Sequence, residues 1–236
     1  MPTIVLIHGA GETGAAWRRV QDALVTSSVT VDLLGRGSNP SDLSQNTLES
    51  VGARAAEDIE SMTKGPVILF AHSISGAITP GLVSRLGERV QGVVHLAAVC
   101  APPGVLPLST VSQDFVDQLL PTASALRQEL QGRSFSPSDD VLPEGLRPLR
   151  ESGTLARLDS VALGCVVSTF DWKRSDLPRT YVRTTRDRLY SQAGQRRLAE
   201  AFDAHESIEL ESGHNPQHTM PELLASLLDN LAKKKS

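Results

Sequence analysis

Three side chains in this sequence could together convert an alcohol into a nucleophile: Ser73, Asp187 and His214. A serine hydroxyl attacks poorly near neutral pH until a base takes its proton, and an imidazole is suited to that task. The imidazole in turn needs a carboxylate that fixes its tautomer and stabilises the imidazolium. Ser73 lies in Pro66-Val-Ile-Leu-Phe-Ala-His-Ser-Ile-Ser-Gly-Ala77, an apolar run that turns abruptly into small residues. Asp187 closely follows Thr180-Tyr-Val-Arg-Thr184, and His214 ends Glu211-Ser-Gly-His. The chemistry such a set performs is attack on an ester-type carbonyl through an acyl intermediate.

These groups need elements that bring them to one edge. Val67 to Phe70 read as a strand buried on both faces of a parallel sheet, and Ser73 as the nucleophile of a tight strand-to-helix elbow. The usual elbow has glycine two residues before and after the serine; here Ala71 and Ser75 stand there. Thr3–Ile7, Val29–Leu33, Gly92–Val99, Thr180–Thr184 and Ser207–Leu210 are further short apolar or β-branched runs. Between them fall a helix over about Ala15–Val25, a helix through Leu48, Val51, Ala55, Ile59 and Met62 behind an Asn46/Glu49 capping box, and a helix over Ser191–Phe202. A last helix carries Leu223, Leu224, Leu227, Leu228 and Leu231 behind a Thr219/Glu222 box, and Pro80 removes a hydrogen bond to the Gly76 carbonyl and should bend the helix after Ser73 if that helix continues. The alternation predicts an α/β fold with a doubly wound, mostly parallel sheet in one domain over 1–236. From 101 to 179 prolines break the rhythm, and this stretch is read as a small helical cap insertion within that domain.

All three groups then fall at C-terminal strand ends, the edge where such sheets place ligands. His205 precedes the last strand, His95 is inside one, His8 begins a main-chain loop and His72 points away from Ser73 by alternation. His218 is the rival base. Asp171 and Asp176 precede their strand, and no carboxylate follows the strand ending near Val99.

The loop His8-Gly-Ala-Gly-Glu-Thr-Gly14 has two readings. Its glycines with Asp32 satisfy a dinucleotide fingerprint, implying NAD or NADP; alternatively His8-Gly9-Ala10 offers a backbone N–H to an oxyanion. Neither Tyr181 nor Tyr190 has a lysine four residues later, which a short-chain reductase would be expected to carry, so the second reading is preferred. No metal or organic cofactor is required. The 236 residues carry a formal net charge of −4, which provides no basic stripe for nucleic acid. No apolar run approaches the roughly 20 residues that span a bilayer. The opening strand does not read as a signal peptide, so a cytoplasmic protein acting on a small-molecule ester-like substrate is expected. Cys100 and Cys165 show no zinc spacing and no disulfide framework.

The pieces His8-Gly9-Ala10, Asp32-Leu-Leu-Gly-Arg-Gly-Ser38, Ala71-His-Ser-Ile-Ser-Gly76, Asp187 and Gly213-His214 resemble those of an α/β-hydrolase. The similarity is nearest to the compact branch of plant methylesterases and hydroxynitrile lyases. The resemblance implies Ser73 as nucleophile, His214 as base, Asp187 as acid and an oxyanion hole from the N–H groups of Ala10 and Ile74. One lyase group uses Thr in the oxyanion loop and Lys after the histidine, where this chain has Ala10 and Asn215, which disfavours a lyase. Ester hydrolysis is the expectation, with a non-hydrolytic lyase or cyclase as the alternative.

Overall fold

The fold is taken from a computed structural model, which describes residues 1–41, 48–100 and 176–234. Almost all of the expected 101–179 cap, the Asn46 capping position and Cys165 lie outside the described residues. Six strands form one sheet: β1 (Thr3–Ile7), β2 (Ser28–Val31), β3 (Val67–His72), β4 (Val90–Leu96), β5 (Arg179–Thr184) and β6 (Glu206–Leu210). Their order is β2-β1-β3-β4-β5-β6 and every pairing is parallel. Chain direction across the sheet reverses between β1 and β3, so the crevice beyond their C-terminal ends is the topological switch point.

Alternation along the strands sends side chains to two cores. Val5, Ile7, Leu69 and Val93 join the core formed with α2 (Leu48–Met62), α3 (Thr79–Leu86) and α4 (Gln192–Ala201). Ile4, Leu6, Ile68, Phe70, Val94 and Val182 join Trp17 and the leucines of the C-terminal helix on the other face. All six residues of β3 are buried, as a central strand covered on both faces requires.

Several boundaries differ from the periodicity. The first helix is a 3-10 turn over Gly14–Trp17 running into α1 (Arg18–Ala23). Strand β4 stops at Leu96, where Ala97 takes a positive φ of 42°. Pro80 does not bend a running helix. The chain after Ser73 is a 3-10 helix over Ser73–Ile78, and Pro80 falls in the first turn of α3, where no intrahelical N–H is needed. The Gly76 carbonyl accepts instead from the Thr79 hydroxyl at 2.8 Å. The C-terminal segment is split: α5 (Pro216–Thr219) precedes α6 (Pro221–Lys234), and Thr219 closes α5 through its hydroxyl on Asn215 O rather than opening α6.

Gly76 packs with its α-carbon against β4's continuation, and a Cβ there would run into the Val99 carbonyl oxygen. Gly76→Ala is expected to cost about 2 kcal/mol through forced displacement of that strand end. Urea unfolding measures this, and an unchanged midpoint would show that the segment after Leu96 yields freely.

Candidate functional site

Parallel register decides which loops meet. Ile7 pairs with Ala71, so the loop after β1 leaves the sheet level with the residues that lead into Ser73. The approach is close: a Cβ on Gly9 would stand 2.8 Å from His72 Nδ1 and 3.3 Å from the Ser73 Cβ. Glycine is therefore required at position 9 on space alone. Ser73 itself is buried and has a positive φ of 55°, a left-handed conformation that costs a non-glycine residue about 1–2 kcal/mol. Its carbonyl accepts from Val99 N–H at 2.8 Å. Ser75, at the position where glycine was the expected small residue, is fully buried and donates its hydroxyl to His72 O at 2.8 Å and Ile7 O at 3.2 Å.

Asp187 and His214 arrive from the loops after β5 and β6, held together because Thr184 pairs with Leu210. His214 Nδ1 lies 2.7 Å from Asp187 Oδ2 and its Nε2 lies 2.9 Å from Ser73 Oγ. An ionised carboxylate only accepts, so Nδ1 carries the proton and Nε2 presents its lone pair to the serine hydroxyl. Asp187 Oδ1 accepts the N–H groups of Leu189 and Tyr190, and Oδ2 also accepts the Thr184 hydroxyl at 2.7 Å. Burial by itself would raise this carboxyl; His214 and these donors outweigh it and hold the group below the usual aspartate value. The Tyr190 ring stands edge-on to the imidazole at 5.0 Å.

The three groups read from the sequence are thus brought together. Ala10 follows Gly9 in the loop beside Ser73, and Ile74 is the first residue of the chain after it. His218 is not near the serine hydroxyl: its Nε2 pairs with Glu12 Oε1 at 2.7 Å and its side chain is half exposed. His72 packs against His214, donating Nε2–H to its main-chain oxygen at 2.9 Å with ring centroids 5.0 Å apart.

Asp32 bridges the glycine-rich loop and the loop after β2. Its Oδ1 accepts Gly14 N–H at 2.6 Å and its Oδ2 accepts the Ser38 N–H and hydroxyl at 2.8 and 3.0 Å. This carboxylate ties the two loops together. His8 has an equally local role: its ring nitrogens meet Gly9 O and Leu33 N–H.

Sequence reading missed Gln195 and Glu12. Gln195 is fully buried; its Oε1 accepts Thr184 N–H, and its Nε2 donates to Thr184 O, Tyr190 O and, at 3.4 Å, Asp187 Oδ2. A signal existed: it shares the buried face of α4 with Leu198 and Ala199, a polar side chain on an apolar stripe. Glu12 is the one charge in the loop from His8 to Gly14. Burial opposes its ionisation, yet the hydrogen-bonding groups around it, His218 and Gln217 among them, hold its carboxyl below the usual glutamate value.

A family model described as the alpha/beta hydrolase family matches residues 4–227. The chain belongs to the alpha/beta hydrolase family. The expected doubly wound sheet is accordingly the α/β-hydrolase fold. This α/β-hydrolase is 27% identical to a pyrethroid hydrolase of Sphingobium wenxiniae over 249 residues, covering 97% of the chain and 87% of the relative. It is 25% identical to a pheophorbidase of Raphanus sativus over 254 residues, covering 95% and 91%. An extracellular alpha/beta-hydrolase from a Paenibacillus species superposes with a TM-score of 0.72 at 18% identity over 98% of both chains, a likeness of fold. Among the described residues no helix of this α/β-hydrolase is long and apolar enough to cross a membrane.

Replacing Gln195 by Met keeps its volume but removes the acceptor of the buried Thr184 N–H and the donor that Gln195 gives to Tyr190 O, while Thr184 O keeps the Gln192 amide at 2.7 Å. The expected loss is about 2–3 kcal/mol of stability, read by urea unfolding. A loss below about 0.5 kcal/mol would mean that other groups or water take over those bonds.

Proposed function

We propose that this protein is a serine hydrolase that cleaves carboxylic esters through an acyl-enzyme. The observation that carries the reading is the unbroken relay from Asp187 Oδ2 through the His214 imidazole to Ser73 Oγ, with contacts of 2.7 and 2.9 Å. The relatives add support, since those covering nearly the whole chain include a pyrethroid hydrolase and a pheophorbidase.

In this reading His214 Nε2 takes the Ser73 proton as Oγ attacks the ester carbonyl. The oxyanion that forms is met by the N–H groups of Ala10 and Ile74, each donor stabilising the transition state by about 3 kcal/mol. His214 then hands its proton to the leaving alkoxide, and the alcohol departs. Water, deprotonated by the same imidazole, releases the acid from Ser73. Asp187 keeps its negative charge throughout and balances the imidazolium. The positive φ of Ser73 and the glycine at position 9 serve one end: they expose Oγ on a tight turn while main chain comes close on the other side.

A fluorophosphonate probe is expected to label Ser73 alone, and Ser73→Ala to abolish both labelling and aryl-ester turnover; a folded, unlabelled wild type would defeat the proposal. Asp187→Asn should lower kcat at least about 100-fold while the protein stays folded, because the amide favours the wrong imidazole tautomer. Wild-type turnover there would remove Asp187 from the relay. His218→Ala, which deletes a half-exposed ion pair, should change kcat less than about threefold and stability by less than about 1 kcal/mol. A loss as deep as that of His214→Ala would reassign the base.

A further inference from the structure

Behind His214 lies a second set of polar side chains that acyl transfer at Ser73 does not consume. Glu12 stands at its centre. Its Oε2 accepts Gly9 N–H at 3.3 Å, its Oε1 pairs with His218 Nε2 at 2.7 Å, and the Gln217 amide nitrogen reaches both oxygens at 3.2 and 3.4 Å. His72, fully buried, lies with Nδ1 3.6 Å from Glu12 Oε2 and 3.4 Å from the Gln217 amide nitrogen. Because its Nε2 donates to the His214 carbonyl, Nδ1 is the acceptor in the neutral ring, and burial favours that neutral form.

These contacts touch three segments at once: the loop that carries Ala10, the end of β3 that leads into Ser73, and the turn that carries His214 into α5. Gly9 N–H, the Gln217 amide and His218 Nε2 are all donors converging on one place, and a carboxylate is the side chain that only accepts. We propose that Glu12 is a positioning residue, which fixes the His214 turn against the loop beside Ser73 so that base, nucleophile and oxyanion donors keep one geometry. It touches neither substrate nor the reacting atoms; it acts through Gln217 and Gly9. The inference rests on the reading of Ser73 and His214 as nucleophile and base. It differs from that reading in predicting a defect of placement in a site whose reacting groups are all present.

Full-length Glu12→Ala, Glu12→Gln and Ser73→Ala proteins should be compared for thermal stability, for kcat and KM on an aryl acetate, and for the rate of fluorophosphonate labelling. Glu12→Ala is expected to lower kcat about 10- to 100-fold, the range produced by displacing reacting groups by up to an ångström. Labelling should slow in parallel while KM changes less than about threefold, the signature of an interaction felt in the transition state. Glu12→Gln, which keeps an acceptor oxygen for Gly9, should recover part of the loss, to within about tenfold of wild type. Wild-type kcat in a folded Glu12→Ala protein, or a loss carried wholly by KM, would overturn the proposal. If Glu12→Ala does not fold, Glu12→Gln decides alone: a kcat loss of about threefold or more supports the role and wild-type kcat overturns it. Turnover surviving in Ser73→Ala would bring down the underlying reading of the triad, a result distinct from any outcome of the Glu12 variants.

Discussion

Everything in this molecule turns on holding Ser73 at a φ of 55° inside a buried turn. A serine does not adopt that conformation freely, so the surroundings must over-determine it. The determination comes from β3, buried along its whole length between two cores, and from the segment after β4, whose Val99 N–H holds the Ser73 carbonyl. Ser75 contributes from the far side by bonding the ends of β1 and β3. The glycines at 9 and 76 are the spatial counterpart, since a side chain at either would meet backbone or ring atoms of the neighbouring segment. The strain at one residue is thus distributed over two cores and three strand ends.

Burial of polar groups around this turn follows one rule: each carboxylate is surrounded by donors before it is buried. Asp187 has four close donors from Thr184, Leu189, Tyr190 and His214, with the Gln195 amide beyond them. Glu12 has donors from Gly9, Gln217 and His218, and Asp32 from Gly14 and Ser38. Desolvation alone would push all three toward neutrality, and the donors reverse that direction. The histidines divide in the same way. His72 and His95 are fully buried, and burial holds both below the usual imidazole value. His214, facing both Asp187 and Ser73, is the one with a carboxylate on one nitrogen and a hydroxyl on the other.

The sequence carried much of this. Short β-branched runs separated by amphipathic helices define a parallel α/β sheet because strands covered on both faces cannot alternate with polar residues. The six expected strands are the six observed, the first with the same bounds and the others with ends shifted by at most three residues. Ser73, Asp187 and His214 were legible because each follows such a run at the same edge. The condition for a bend at Pro80, a helix running on from Ser73, is not met, because a 3-10 segment restarts the helix at Thr79. Thr219 was read as opening a helix that Pro221 opens.

Sequence alone determined the class of fold and the edge to which Ser73, Asp187 and His214 are brought, because hydrophobic period and residue chemistry are local properties. Tertiary structure decided the partners. Which carboxylate faces which imidazole depends on parallel register between strands distant in sequence, Leu210 beside Thr184 and Ala71 beside Ile7. That register made Asp32 a loop tie, and sent His218 to Glu12 instead of Ser73. It also set His72 beside His214 and Gln195 beside Asp187. Such placements are set by side chains meeting across the sheet edge, and no spacing along the chain encodes them.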